Sequence, residues 1–385
     1  MKKLPYILFA AIALLSSCYG VKSDKPEAAG ESNERAALSP PYSIYLEKTL
    51  SEVEPVNLSE IAGGIKYVPL ETSANCLLKR VHEFTFSGNT FLVSDFANLF
   101  QYDDQGKFIK KIGQKGTGPK DYVFVNSVLN DDRRGISNVF TSGKVNVYDR
   151  DMTYLRSWRL VERYYSGLVT PWGNYLMYLS SSFRLVGDTS TVYSFAEIDT
   201  SGHVIRKIPN PSPIESTYHG MIYAPIPLYK HKDVVRYMDY GNDTLFTLSK
   251  GGDRSPYAIC HLGTMKRVVD THGFNPQQMD ELASKVLMEN ICEDDEYLYL
   301  TLRWGVTEKV QYILFNKRNG GIKNVGSDGL KNDVDGGIPF FPQFIKEDGT
   351  KVMYVSAEDF IEKVPSTDLS SGLQMDDNPV FIMAK

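Results

Sequence analysis

The most regular pattern in the chain is a repeated pair of segments in which apolar and polar residues alternate. Each pair is joined by a tight turn of Asp, Asn, Gly or Lys, an arrangement typical of a β-hairpin. Five copies are visible, at residues 100–109, 145–158, 195–205, 244–253 and 312–320. The turns of the first four copies are about 45 to 50 residues apart, close to the length of one four-stranded propeller blade. The repeat therefore predicts an all-β chain built from blades.

Strand-like segments near the two ends of the chain supply a sixth blade. They are residues 65–68 and 380–383. Pairing them would remove the exposed sheet edge that an open ring of blades leaves. We therefore predict a six-bladed β-propeller that is closed by its first and last strands. A two-sheet sandwich would give a similar spacing, although it would not readily give so many successive copies.

The interval before the fifth hairpin is longer than the others, and residues 275–290 account for the excess. Asn275 is a suitable N-cap and Pro276 fits the first helical position. The apolar residues that follow, up to Val286 and Leu287, would share one face of a helix. We predict a short helical insertion here, either as a packing element at one end of the ring or as a lid over a ligand site.

The first seventeen residues have the three zones of a secretory signal. A positive start is followed by an apolar stretch and then by residues 15–18, Leu-Ser-Ser-Cys. About a dozen apolar residues are too few for a membrane-spanning helix, which needs ~20. The alternative is an ordinary cleaved signal, but residues 15–18 resemble the bacterial lipobox, in which the cysteine thiol receives lipid. We therefore predict cleavage before Cys18 and lipid attachment to it.

Behind this cysteine, residues 18–41 are mostly Lys, Asp, Glu, Ser, Ala, Gly and Pro. With almost no large apolar residue, the segment cannot offset the entropy of ordering it. The predicted organisation is a signal at residues 1–17, a flexible tether at 18–41 and the propeller at 42–385. The lipid would hold the protein at the outer membrane, facing either the periplasm or the cell surface.

Charge and cysteine content exclude some classes of partner and site. The formal net charge is −5 and becomes about −7 once the two lysines of the signal are removed, which argues against a nucleic-acid partner. Besides the lipidated cysteine, the chain has Cys76, Cys260 and Cys292, in no Cys-x-x-Cys pair. Neither a zinc site nor a thioredoxin-type centre is indicated. We expect buried thiols, while a disulfide between Cys260 and Cys292 stays open as an alternative.

Four segments resemble the six-bladed β-propeller lipoproteins of Bacteroides-like bacteria, which are similar to NHL-type propellers. They are residues 65–72, 112–122, 333–342 and 376–380. The resemblance covers nearly the whole mature chain, with one departure at Lys120, where the family more often has glycine. It implies the fold and the lipid anchor, and it implies no particular reaction.

No motif in the chain predicts a cofactor, a metal ion or a catalytic residue. The glycines of residues 113–118 precede Pro119 and a strand-like stretch, so they do not form a phosphate-binding loop before a helix. Asp333 and Asp335 lack the ligand spacing of an EF-hand and are interpreted as a turn, with a calcium site as the alternative. Residues 293–296 are interpreted as a solvated acidic turn. The six histidines have no zinc-hydrolase spacing.

Aromatic and arginine side chains are the remaining candidates for a binding site. Trp172, Arg184, Arg303 and Trp304 lie beside glycine or polar residues. In such places a sugar or a peptide can stack and form hydrogen bonds, although packing between blades is the simpler interpretation. Arg303 and Trp304 are the preferred pair, because a buried arginine needs a partner.

These observations favour a membrane-anchored binding or scaffold module that presents its loops to a protein or a glycan. The alternative is a carbohydrate-active or other hydrolytic enzyme with its site at the central channel of the propeller. Its paired carboxylates would then come from separate blades.

Overall fold

The structure is a computed structural model, and it describes residues 38–179, 184–216, 226–266, 284–305, 307, 309–364 and 372–385. The predicted signal, Cys18 and most of the predicted tether lie outside the described residues. Residues 275–283 of the predicted helical insertion also lie outside the described residues.

The strands form six blades around a central channel. An N-terminal segment contributes strand β1 (Tyr42–Tyr45), helix α1 (Leu46–Thr49), a 3-10 turn (Leu58–Glu60) and strand β2 (Ile65–Pro69). Blade 1 contains β3 (Glu83–Ser87), β4 (Thr90–Ser94), β5 (Leu99–Tyr102) and β6 (Phe108–Lys111). Blade 2 contains β7 (Val125–Asp131), β8 (Ile136–Thr141), β9 (Lys144–Asp149) and β10 (Tyr154–Arg159).

Blade 3 contains β11 (Tyr164–Val169), β12 (Tyr175–Leu179), β14 (Tyr193–Ile198) and β15 (Val204–Pro209), and a small side sheet pairs β13 (Arg184–Leu185) with β16 (Glu215–Ser216). Blade 4 contains β17 (Leu228–His231), β18 (Val234–Tyr237), β19 (Thr244–Leu248) and β20 (Arg254–His261), followed by a 3-10 turn (Gly263–Met265). Blade 5 contains β21 (Val286–Glu293), β22 (Tyr297–Trp304), β23 (Val310–Asn316) and β24 (Ile322–Gly326). Blade 6 contains β25 (Phe344–Ile345), β26 (Lys351–Val355) and β27 (Val380–Ala384), with helix α2 (Ala357–Lys363) between the last two.

The burial of each strand follows from its place in the blade. Middle strands such as β12 are buried at every position, because both faces of a blade pack against neighbouring blades. Outer strands such as β6 alternate between half-buried and exposed positions. The contrast between buried middle strands and half-exposed outer strands accounts for the alternation of apolar and polar residues in the sequence. The predicted hairpins are the third and fourth strands of blades 1 to 5, and they are confirmed.

The ring is closed by the two ends of the propeller. Strand β2 pairs with β27 in antiparallel register, from Ile65 opposite Ala384 to Pro69 opposite Val380. This pairing completes blade 6 as a four-stranded sheet and confirms the predicted closure.

The predicted insertion at residues 275–290 needs a correction at its C-terminal end. Val286 and Leu287 belong to strand β21, in which they pair with Trp304 and Arg303. The helical prediction is therefore wrong for residues 286–290, all of which lie in this strand. Pairing along the eight residues of β21 overrides a local apolar pattern that also fits a helix.

The N-terminal segment follows the outer rim of the propeller, which the sequence did not predict. Strand β1 pairs in parallel with β20 and adds a fifth strand to blade 4. Further on, the Glu54 amide donates to the Asn324 carbonyl of β24 (2.7 Å) on blade 5. The chain then enters blade 6 as β2. Residues 42–69 therefore cross three consecutive blades.

The three cysteines in the described part of the chain are free thiols, and all are buried. Burial raises the pKa of Cys260 and of Cys292 to about 12. The expectation of buried thiols is confirmed, and no disulfide joins Cys260 to Cys292.

The two ends of the propeller differ in their connections. We call "upper" the end with the loops between second and third strands and the connections from blade to blade. The "lower" end has the turns between first and second strands and between third and fourth strands.

No helix in the described ranges is both long enough and apolar enough to span a bilayer.

Candidate functional site

The innermost strands leave the central channel accessible to solvent. Every residue of β3 is partly exposed, whereas β4 behind it is buried from Phe91 to Ser94. Strands β11 and β17 are likewise partly exposed along most of their length. Polar side chains at the start of an inner strand therefore meet the upper opening of the channel, which we call the upper mouth.

Glu83, the first residue of β3, has an unusual environment at the upper mouth. One carboxylate oxygen, Oε1, accepts hydrogen bonds from the Ser127 hydroxyl (3.0 Å) and the Val128 amide (3.1 Å), both on β7. Burial raises the pKa of Glu83 to about 7, although these two hydrogen bonds oppose the change. Among the described residues, no cationic side chain forms an ion pair with this carboxyl group.

His82, the residue before Glu83, lies against β7. Its ring meets the ring of Phe96 edge-on, with 5.0 Å between the centroids. Burial lowers the pKa of His82 and the positive charge of Arg80 lowers it further, while a hydrogen bond to the backbone of Asn126 and the charge of Asp95 oppose this. The imidazole is therefore neutral at pH 7.

Phe96 is held at the mouth in a backbone conformation that phenylalanine rarely adopts. Its φ is 76°, in the left-handed region. The Asp95 carboxylate fixes the loop by accepting from the amides of Ala97 (3.0 Å) and Asn98 (2.6 Å). The Phe96 ring stacks on Phe124 at 4.8 Å and remains 38% exposed. Such strain persists only where the surrounding structure imposes it, and it is concentrated at functional sites.

These groups have a defined order along the channel. Phe124 comes immediately before β7, the Asn126 backbone contacts His82, and Ser127 and Val128 contact Glu83. Ser127 and Val128 come three and four residues after Phe124, so the carboxyl group lies further along β7 than the aromatic pair. The mouth therefore offers an aromatic surface, then a neutral imidazole, then a carboxyl group without a counter-ion.

Sequence reasoning missed this site, although one signal was present. Polar residues alternate with Phe84 and Phe86 along β3. The two phenylalanines pack towards blade 6, where both rings contact Phe344. Glu83 and Thr85 consequently face blade 2. The alternation predicted that β3 has one aromatic and one polar face, but it could not show which residues the polar face contacts.

The structure does not bring the four predicted binding residues together. Arg303 ends β22 at the upper end, where it pairs with Glu289 of its own blade and donates to the Thr307 carbonyl (3.1 Å). The adjacent Trp304 packs against the core between blades 4 and 5, with the Lys309 ammonium 5.5 Å from its ring centroid. The partner that a half-buried arginine needs is thus supplied within blade 5.

The other two candidates lie on blade 3. Arg184 is in β13 at the upper end, and its amide donates to the Ile214 carbonyl (2.9 Å). Trp172 lies in a lower-end turn, where its indole N–H donates to Glu197 (2.6 Å). Trp172 is thus at the opposite end of the propeller from the rest. A binding role for these residues stays a prediction.

The acidic turn at residues 293–296 is not solvated throughout, because Glu293 is buried. Its carboxylate accepts from the hydroxyls of Tyr229 (3.0 Å) and Tyr257 (2.5 Å). It also contacts Arg236 (3.3 Å) and Lys317 (2.9 Å). Burial alone would raise the pKa of Glu293, but the charges of Lys317 and Arg236 and the hydrogen bonds hold it below its ordinary value. This cluster, which we call the Glu293 cluster, joins blades 4 and 5.

Asp333 and Asp335 each have partners within the fold. Asp333 accepts from the Ser59 amide (2.9 Å) and hydroxyl (2.6 Å), which ties the N-terminal segment to blade 6. Asp335 accepts from the Tyr67 hydroxyl (3.0 Å) and the Asn332 amide group (2.7 Å). Within the described ranges, no group of three His, Cys, Asp or Glu side chains is placed to hold a metal ion.

Comparison with solved structures relates the chain to two Bacteroides propellers. One, from Bacteroides fragilis and described as an exported protein, is 18% identical, with a TM-score of 0.66 over 89% of this chain and 98% of that one. The other, a member of the DUF4221 family from Bacteroides vulgatus, is 13% identical, with a TM-score of 0.53 over 84% of this chain and 96% of that one. At these identities the likeness shows the fold alone.

No curated protein sequence matches the chain. A family model described as a domain of unknown function, DUF4934, matches residues 41–385. Together with the two propeller structures, this match confirms the resemblance to six-bladed propellers of Bacteroides-like bacteria. Since the model spans the whole propeller from β1 to β27, the chain belongs to the DUF4934 family.

Proposed function

We propose that this protein is a lipid-anchored cell-envelope protein whose propeller binds a protein partner through its upper end. The observation that carries the proposal is the distribution of exposed apolar side chains. In the described upper-end loops, six large apolar residues are between 38% and 72% exposed, and we call this set the arc: Leu77, Phe96, Val123, Val161, Val186 and Met375. They lie on blades 6, 1, 2 and 3, which are consecutive in the ring.

The lower end contrasts with this arc. All its turns are among the described residues, and none contains a large apolar residue that is exposed. Instead they have Asp, Asn, Gly, Lys and Ser, as at residues 103–107 and 199–203. Ile109, Leu155 and Ile205 are also exposed, but singly, on the outer strands next to these turns. Single exposed apolar residues are ordinary, whereas several on one surface are typical of an interaction site.

The chemistry of the arc favours a protein over a glycan as the partner. Five of the six side chains are aliphatic or methionine, and the exposed aromatic residues at this end are Phe96 and Phe344, on different blades. Aliphatic surface is buried most favourably against apolar side chains of another protein. A glycan site would instead need several exposed aromatic faces with polar groups around them.

The hydrolytic alternative has one supporting observation, the carboxyl group of Glu83 with its pKa of about 7, suited to acid–base catalysis. Glycoside hydrolysis needs a second carboxylate close by. Asp95, in the loop between β4 and β5, is occupied within that loop, because its carboxylate accepts from the amides of Ala97 and Asn98. A binding role is therefore better supported than catalysis.

Lipid anchoring is the second part of the proposal and rests on Cys18 behind its signal-like segment. The described export of the Bacteroides fragilis propeller is consistent with it. Replacing Cys18 with alanine should move the protein from the membrane fraction to the soluble fraction. Retention of the variant in the membrane fraction would refute the anchor.

Partner binding is tested by cross-linking on intact cells with a matched pair of variants. Val123→Glu with Val161→Glu places two charges on the arc. The control, Leu155→Glu with Ile205→Glu, places the same charges on the outer strands β10 and β15, at similarly exposed positions. We expect a cross-linked protein that wild type and control share and the arc variant loses. If the arc variant retains every cross-linked protein, the upper end is not the binding surface.

A further inference from the structure

We propose that the upper mouth receives an arginine or lysine side chain of the protein partner, with the cationic group at Glu83 and the aliphatic stem against Phe96 and Phe124. This inference rests on the proposed function, because it assigns the chemistry by which the upper end recognises a protein. It also makes Glu83 the residue that sets specificity.

The first argument is the missing counter-ion. Both hydrogen bonds to Glu83 come from neutral donors and reach the same oxygen, Oε1. No charged side chain contributes to its pKa, which burial raises to about 7. An ionised carboxylate that is largely removed from water without a cation is costly, and a cation brought by a ligand would reduce that cost.

The Glu293 cluster shows how this fold treats a carboxylate on an inner strand when the role is structural. Glu293 ends β21, faces a neighbouring blade and is contacted by Arg236 and Lys317. Glu83 starts β3 and also faces a neighbouring blade, but its partners are a hydroxyl and an amide. The counter-ion present at one site is absent from the other among the described residues. Glu83 therefore has an unmet capacity to bind a cation.

The second argument is the aromatic surface beside the carboxyl group. The stacked rings of Phe96 and Phe124 stand at the opening, and the carboxyl group contacts Ser127 and Val128, three and four residues further along the chain than Phe124. A compact ammonium ion cannot both neutralise the carboxylate and cover the rings with apolar surface. Arginine and lysine side chains can, because an apolar stem separates their charge from the backbone. Passage beside aromatic faces adds a cation–π contribution.

The third argument is charge at longer range. The chain has a net charge of −5. A negative protein attracts a partner that presents a basic segment and accelerates their encounter. A divalent metal ion is a poorer match for Glu83, since no group of three metal-binding side chains occurs among the described residues.

The test uses the purified full chain and two peptides that differ in charge alone. One is acetyl-Leu-Arg-Leu-amide, and the other has citrulline, the neutral isostere, in place of arginine. Calorimetry at pH 8, where Glu83 is ionised, should give at least tenfold tighter binding of the arginine peptide. Glu83→Gln should remove this preference, whereas Glu296→Gln at the lower end should leave it unchanged.

The preference should also fade as the pH falls below about 7, because protonation neutralises the carboxyl group. Equal affinity for the two peptides, or a preference that survives Glu83→Gln, would overturn the inference. So would binding of a neutral oligosaccharide, maltohexaose, that depends on Glu83 and Phe96. These outcomes leave the cross-linking result on the Val123 and Val161 variant intact, so the two proposals fail separately.

Discussion

Replacing Glu293 with glutamine tests how the blades are held together. The substitution keeps the shape of the side chain but removes the negative charge that Arg236 and Lys317 both contact. Each of these cations has a side chain only 9% exposed, so water cannot take over the role of the carboxylate. The two positive charges would be left close together and buried.

Removing one member of a buried ion pair costs about 3–5 kcal/mol in the free energy of unfolding, because a charge is left uncompensated. The matched control is Glu296→Gln, in the same turn. Glu296 pairs with Arg318 at 2.5 Å, but the two side chains are 44% and 72% exposed. Exposed pairs contribute about 0–1 kcal/mol, so the control should stay close to wild type.

Urea unfolding at pH 7, followed by tryptophan fluorescence, gives the difference between the two variants. The pH dependence of the stability difference is a second check on the role of the charge. Because the folded pKa of Glu293 lies below its ordinary value, its contribution is present above that ordinary value and is lost as the pH falls through the folded pKa. The deficit of Glu293→Gln should therefore shrink in acid. A loss as small as that of Glu296→Gln at pH 7 would refute a structural role for the Glu293 cluster.

Three further predictions concern other sites. The pKa of Glu83 is raised to about 7, so its own contribution to stability should fall as the pH rises from about 4.5 to 7, and in urea unfolding the stability of Glu83→Gln relative to wild type should rise over that range. Phe96→Asn should unfold within about 1 kcal/mol of wild type, because asparagine tolerates the left-handed conformation, yet bind the arginine peptide more weakly; a large loss of stability would show that the ring is a structural support. Cys260 and Cys292 should not react with a thiol reagent until urea unfolds the protein, and rapid labelling of the native chain would contradict their burial.

The sequence predicted those features that depend on neighbouring residues. Turns such as residues 103–107 and the alternation of the strands beside them are local, so the hairpins and their repeat were readable. Closure through β2 and β27 followed from the need to cover a sheet edge. Strand β1 was missed, since its partner β20 lies more than 200 residues away and no local pattern records that pairing.

The candidate site could not be predicted from neighbouring residues either, because its contacts also join residues that are far apart in the sequence. Glu83 receives its hydrogen bonds from β7, about 45 residues further along the chain. Glu293 was interpreted as solvated because it begins an acidic run, but Arg236 and Lys317 from two blades bury it. The composition of a segment indicates its average exposure and does not identify the one residue that turns inwards.

The path of the N-terminal segment also sets the order in which its contacts would break under a pull from the N-terminal side. A pull on residues before Leu38 reaches β1 first, and β1 is joined to blade 4 by four residue pairs. Beyond it, two hydrogen bonds from the Asn324 side chain hold the carbonyls of Thr49 and Leu50. The β2–β27 seam lies behind both attachments. Under such a pull β1 would therefore detach before the ring opens, and the upper mouth would keep its shape.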